Sequence, residues 1–160
     1  MKINFFKRFQ LFIMKQSINS MNLCLFAAQS LLFKKPDNFK NILIYKVGNI
    51  GDVICAVPSF IAIRKTYPRA KITLLTSPGA KGMIGAKELL SGVWYLNELK
   101  IYHSEDIDSL EKKINFAKKL REKKYDLFIQ LPDDLVSFRT LLRNMIFAKA
   151  IGVKSAFGFK

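Results

Sequence analysis

Histidine, cysteine, tryptophan and acidic residues are all scarce in this chain of 160 residues, which holds one His, two Cys, one Trp and 12 Asp+Glu against 27 Lys+Arg. The lone histidine, His103, has no second histidine or cysteine at ligand spacing, so no metal site is expected. Cys24 and Cys55 are too few for a disulfide framework or a zinc site. Their apolar neighbours read them as small buried hydrophobes in a reducing compartment. The shortage of acid leaves a formal charge of +15 and a pI near 9.9. Such a charge points to an anionic partner: nucleic acid, a phosphate-rich substrate or a membrane surface. Internal repeats and low-complexity tracts are missing too, which excludes collagen and coiled-coil rods. What the chain does have is apolar mass. Half its residues are hydrophobic and 14 are Phe, enough to bury a core at this length.

Residues 1–40 differ from the rest. Seven Lys or Arg face one acid, Asp37. The uncharged stretch between Lys15 and Lys34 carries Gln16, Ser17, Asn19, Ser20, Asn22, Gln29 and Ser30, too polar for a spanning helix. Lys7, Arg8 and Lys15 interrupt any signal-peptide core. Phe5, Phe6, Phe9, Phe12 and Ile13 recur at helical spacing beside Lys2, Arg8 and Lys15. That pattern suits an amphipathic helix lying on an anionic membrane, and equally a helix packed on the domain. Pro36, Asp37 and Asn38 punctuate, and a second unit runs over residues 41–160.

From residue 41 short apolar runs alternate with amphipathic stretches. Strands are expected at 41–45, 71–76, 93–96, 126–131 and 155–159, and helices at 51–66, 79–90, 108–124 and 135–150. Asp108 and Glu111 have capping-box spacing ahead of the stripe Leu110, Ile114, Ala117 and Leu120. Pro58 lies inside the first helix, which must start late or kink there. Strand and helix alternating in this way argue an α/β fold with a doubly wound parallel sheet.

Ligands of such sheets sit at the carboxyl ends of the strands. The first turn there reads Lys46, Val47, Gly48, Asn49, Ile50, Gly51, Asp52. This is Gly-x-x-Gly, not the Gly-x-Gly-x-x-Gly of dinucleotide binders, so no nicotinamide or flavin cofactor is expected. Asp52 would repel a pyrophosphate but could orient or deprotonate a substrate hydroxyl. Spacing alone favours its other reading, a helix cap. The glycines at 79, 82 and 85 lack the Gly-Lys-Ser/Thr of a P-loop. The lysine pairs at 112–113, 118–119 and 123–124 read as a solvated helix face, which argues against a nucleic-acid partner.

The run from Ile42 through Gly48, Gly51, Asp52 and Val53 to Pro58, continued by Arg64, Lys65, Tyr67, Pro68 and Ile72, resembles the opening of glycosyltransferase family 9, the lipopolysaccharide heptosyltransferases. Tyr125 and Asp126 before an apolar strand, and Ile151, Gly152, Gly158 and Phe159 at the end, are similar to later parts of the same half. The resemblance covers residues 41–159. It implies a Rossmann-like, N-terminal acceptor-binding half of a GT-B enzyme, with a C-terminal donor domain that this sequence does not contain. Carried over by motif, Asp52 is the catalytic base, and Gly51, Arg139 and Arg143 bind the acceptor. The implied reaction is inverting transfer of heptose, from a nucleotide-activated donor such as ADP-heptose, to a lipid-anchored inner-core saccharide. It would occur on the cytoplasmic face of the inner membrane, with the enzyme bound peripherally. Without donor-binding residues, no turnover is expected of these 160 residues alone. The alternatives are a separate donor-binding chain completing a split enzyme, or a non-catalytic glycolipid-binding or membrane-binding remnant. The family's Asp-x-Gln-Gly after the fourth strand reads here Gln130, Leu131, Pro132, Asp133, Asp134, without a glycine.

Overall fold

The computed structural model describes residues 20–33 apart from 22, 26 and 30, and residues 39–78, 86–131 and 137–159. Among these residues five strands form one parallel sheet: β1 (Asn41–Tyr45), β2 (Lys71–Thr76), β3 (Glu98–Ile101), β4 (Leu127–Gln130) and β5 (Ser155–Phe157). Their order is β3-β2-β1-β4-β5. The helices are α1 (Ile50–Thr66), the short α2 (Lys87–Leu90), α3 (Leu110–Arg121) and α4 (Phe138–Ala150), with a 3-10 turn at Ser104–Ile107. This is the doubly wound α/β arrangement expected from the alternation of strand and helix. Chain direction across the sheet reverses between β1 and β4, and that reversal opens a crevice at their carboxyl ends.

Both faces of the sheet are covered. Ile42, Ile44, Ile72, Leu74 and Leu127 pack under Val53, Ala56 and Phe60 of α1 and Leu90 of α2. Leu43, Leu75 and Phe128 point the other way, toward Leu120 of α3 and Leu141, Met145 and Ala148 of α4. Alternate residues of one strand therefore enter two separate cores, which is why the strands read as continuous apolar runs. The described residues between 20 and 32 are helical. Leu25 and Phe33 join the α3/α4 core, with Phe33 stacked on Phe159 at 6.2 Å. Lys149 Nζ donates to the Leu32 carbonyl at 2.9 Å. The stripe Phe5 to Ile13 lies outside the described residues.

The third strand differs from expectation. Residues 93–96 form no strand: Tyr95 is buried beside Phe60 while Trp94 is 66 % exposed. Asn97 ends that segment by donating its N–H to the Ile72 carbonyl and accepting the Ile72 N–H on Oδ1, both at 2.8 Å. The strand begins only at Glu98, whose alternation of charged and apolar residues suits a sheet edge. Glu98 pairs with Lys100 at 2.9 Å and Lys71 at 3.2 Å, and those partners, the Lys100 hydrogen bond foremost, hold its carboxyl below the ordinary range. The cysteines differ too, because both are exposed. α1 runs unbroken through Pro58. The N-cap of α3 is Ser109, one residue later than the capping-box spacing suggested, and its hydroxyl accepts the Lys112 N–H at 3.2 Å.

One carboxylate aligns the two strands at the reversal. Asp126 Oδ2 accepts the N–H groups of Lys40 and Asn41, each at 3.0 Å, and so ties the start of β1 to the start of β4. Hydrogen bonds to a charged group contribute roughly 1.5–3 kcal/mol. Asp126→Ala is therefore expected to lower the free energy of unfolding by about 2 kcal/mol. Urea denaturation would read this, and an unchanged midpoint would show that the two bonds carry no weight.

Candidate functional site

The turn after β1 is built around Gly48 and Asp52. Gly48 has φ +145°, and a Cβ on it would come within 2.6 Å of Asp52 Oδ2, so only glycine fits. The Gly48 N–H donates to the Ser77 carbonyl at 3.3 Å, which joins this turn to the end of β2. Asp52 Oδ2 accepts the Asn49 N–H at 2.8 Å, closing the first turn of α1 as a cap. Its carboxylate is nonetheless exposed at the carboxyl edge of the sheet. Gly51 meets nothing within 4 Å at its missing Cβ. The open space over Gly51 lets a ligand approach the free amides of the helix N-terminus. Asp52 can thus cap its helix and face a bound hydroxyl at once.

Arg139 and Arg143 lie one turn apart on α4, both exposed, on the opposite face of the sheet from α1. Of the two, only Arg143 reaches a cleft of about 760 Å³ between α3, α4 and the ends of β1 and β4. Arg139, Gly51 and Asp52 do not line it. The Gly51/Asp52 turn and Arg143 therefore sit on opposite sides of the β1 carboxyl end, with Val47 and Ser77 at the edge of the cleft between them.

Several cleft residues gave no sign in the sequence. Tyr45 at the end of β1 and Tyr102 just after β3 place their hydroxyls 2.9 Å apart. Burial pushes both phenols above the usual tyrosine value, while the nearby Arg143 charge opposes the shift. Both hydroxyls stay protonated near neutrality. Whichever donates to the other, one proton is left for a third group. Gln130 at the end of β4 is 3 % exposed, and its Oε1 has no hydrogen-bond partner among the described residues. Lys46, the next residue after β1, is buried too but does not line the cleft. A polar residue closing an apolar run was the only sequence signal for Lys46 and Gln130. The Tyr45–Tyr102 pair joins positions 57 residues apart, beyond the reach of any local pattern. Among the described residues no group of His, Cys, Asp and Glu could hold a metal ion.

A parallel sheet ordered 3-2-1-4-5, with a glycine turn and an exposed carboxylate beside its reversal, defines a Rossmann-like α/β half. The chain is similar in fold to the crystal structure of the glycosyl transferase family 9 from Veillonella parvula DSM 2008, with a TM-score of 0.55 and 22% sequence identity. The match covers 78% of this chain and 33% of that one, so the chain spans about one third of the length of the protein it is similar to. At this identity the likeness is one of fold. No protein-family model and no curated protein matches the chain.

The buried phenols give a pH signature. Their native values are raised, so the stability they lend is fully present below pH 10, the ordinary tyrosine value, and is lost as pH rises through the higher native values. Spectrophotometric titration of tyrosinate should show Tyr45 and Tyr102 ionising later than an ordinary tyrosine, and Tyr45→Phe should reduce the alkaline loss of stability. Ionisation of all five tyrosines in one step at pH 10 would rule out the buried pair.

Proposed function

We propose that this chain is the acceptor-binding half of an inverting glycosyltransferase that transfers heptose from a nucleotide-activated donor to a lipid-anchored core saccharide. The observation that carries this reading is the Gly48–Asp52 turn, which exposes a carboxylate beside open space at the carboxyl end of β1. In the proposed step the Asp52 carboxylate takes the proton of the acceptor hydroxyl. The freed oxygen pair attacks the anomeric carbon from the face opposite the leaving group. The bond from that carbon to the nucleotide diphosphate breaks, and the diphosphate leaves with the electron pair, inverting the centre. Gly51 gives the acceptor access to the helix N-terminus, and Arg139 and Arg143 offer guanidinium forks to its phosphates or carboxylates. The nucleotide sugar would be held by a second domain or a separate chain.

Asp52→Asn tests the base. The amide retains an oxygen that can accept the Asn49 N–H, so the cap survives while the basicity is lost. In the complete native gene product, supplied with ADP-heptose and a lipid-anchored acceptor, turnover should fall about 10²–10⁴-fold with thermal stability nearly unchanged. Retained turnover would remove Asp52 from the chemistry.

The membrane is the proposed setting, on the support of the Phe-rich basic residues 1–40 and the charge of +15. Among the described residues no helix is long and apolar enough to cross a bilayer. Binding to vesicles rich in anionic lipid should weaken as salt rises and fade when residues 1–19 are removed. Equal binding to neutral and anionic vesicles would contradict it.

A further inference from the structure

The stripe on α3 divides: Leu120 is buried in the core and Ala117 packs against it, while the N-terminal part stays out. Leu110 is 74 % exposed and Ile114 46 %, and across the cleft Ile146 of α4 is 60 % exposed. All three line the 760 Å³ space, with Phe116 and Phe147 deeper in. A cavity of this size with such walls is in the range that encloses a small amphiphile. Its polar groups gather at the sheet end: the Tyr45–Tyr102 pair with one proton to give, buried Gln130, and Arg143. Asn144 Oδ1 takes only long 3.4 Å bonds from Arg143 Nε and Nη2, which leaves most of that guanidinium uncommitted among the described residues. Lys113 is a second lining cation, and no acidic residue is among the described lining residues. An apolar trough ending in cations and hydroxyl donors, with no carboxylate among its described lining residues, matches a hydrocarbon chain that carries an anion at one end.

We propose that the cleft between α3 and α4 binds a single-chain anionic lipid, its chain along Leu110, Ile114 and Ile146 and its phosphate head at Arg143 and the Tyr45–Tyr102 hydroxyls. This site is separate from the Asp52 turn, and it stands whether or not that turn supports sugar transfer. Arg143 is shared with the acceptor contacts proposed above, so the lipid reading is tested by binding and the base reading by turnover of the Asp52 variant, a residue that does not line the cleft.

The test is calorimetric titration of the whole 160-residue chain with palmitoyl lysophosphatidate below its micelle concentration. Monopalmitoylglycerol serves as the neutral match and glycerol phosphate as the chainless one. Lysophosphatidate should bind about tenfold or more tightly than the neutral lipid, and glycerol phosphate should not bind measurably. Arg143→Gln should bring the two lipids to similar affinity. Ala117→Phe, which fills the cleft, should abolish binding of both. Ile114→Glu, at an exposed position where folding is not at risk, should do the same by placing a carboxylate in the trough. No binding by the native chain, equal affinity for charged and neutral lipid, or binding that survives Ile114→Glu would each overturn the assignment. Dimerisation that Ile114→Glu abolishes, without lipid binding, would mean that a second copy fills the cleft, and would overturn it as well.

Discussion

Everything in this molecule hangs on β1 being hydrogen-bonded along both edges, to β2 on one side and β4 on the other. A strand in that position has no face or edge left for solvent, so its residues must be apolar and its register must be right. A slip of one residue would exchange Ile42 and Ile44 with Leu43 between the two cores and drive Asn41 and Tyr45 into the wrong layers. Asp126 guards against that slip. By gathering the amides of Lys40 and Asn41 it sets where β1 begins, and hence where its carboxyl end delivers Lys46, Val47 and Gly48. The geometry at the functional end is therefore determined in part by a carboxylate at the opposite end of the same strand.

Two features emerge at that functional end, on opposite sides of the sheet. On the α1 side a glycine turn holds Asp52 against the N-terminus of a helix. On the α3/α4 side lies an apolar cleft with a cationic, hydroxyl-lined end. The link between them is short. Val47 borders the cleft and Gly48 begins the turn, while the Ser77 carbonyl receives the Gly48 N–H and Ser77 itself borders the cleft. Shifting this corner of the sheet would alter both sides together.

The architecture was largely legible in the sequence because its signals are local. β1, β2 and β4 are runs of Ile, Leu and Phe, and α1 and α4 end close to where the periodicity ends. β3 was misplaced because apolar density attracted the assignment to residues 93–96, whereas an edge strand needs only one buried face and tolerates Glu98 and Lys100. The α3 stripe was correctly periodic, but only its C-terminal part, Ala117 and Leu120, meets the core, since periodicity shows that a helix has an apolar face and not what covers it. For the candidate site, Gly51 and Asp52 could be named from one contiguous turn. The arginines of α4 could be named but not separated, because only packing decides that Arg143 and not Arg139 reaches the cleft. Tyr102 and Gln130 meet Tyr45 through the strand order, which no short motif encodes.

The two outer strands treat other molecules differently. Along β3, Glu98 with Lys100 and the neighbouring Lys71 makes a charged border, which a strand from another chain could join only by stripping water from ions. β5 carries no charge over Ser155, Ala156 and Phe157, and Phe157 is part-exposed. It is only three residues long, and Gly158 follows with φ +96° and a Cβ position blocked by the Gln130 carbonyl. The chain must therefore turn away at once, leaving little edge to template a partner. The two borders of the sheet thus limit further pairing by different means, charge on one side and shortness on the other, so a glycine does at β5 what a salt bridge does at β3.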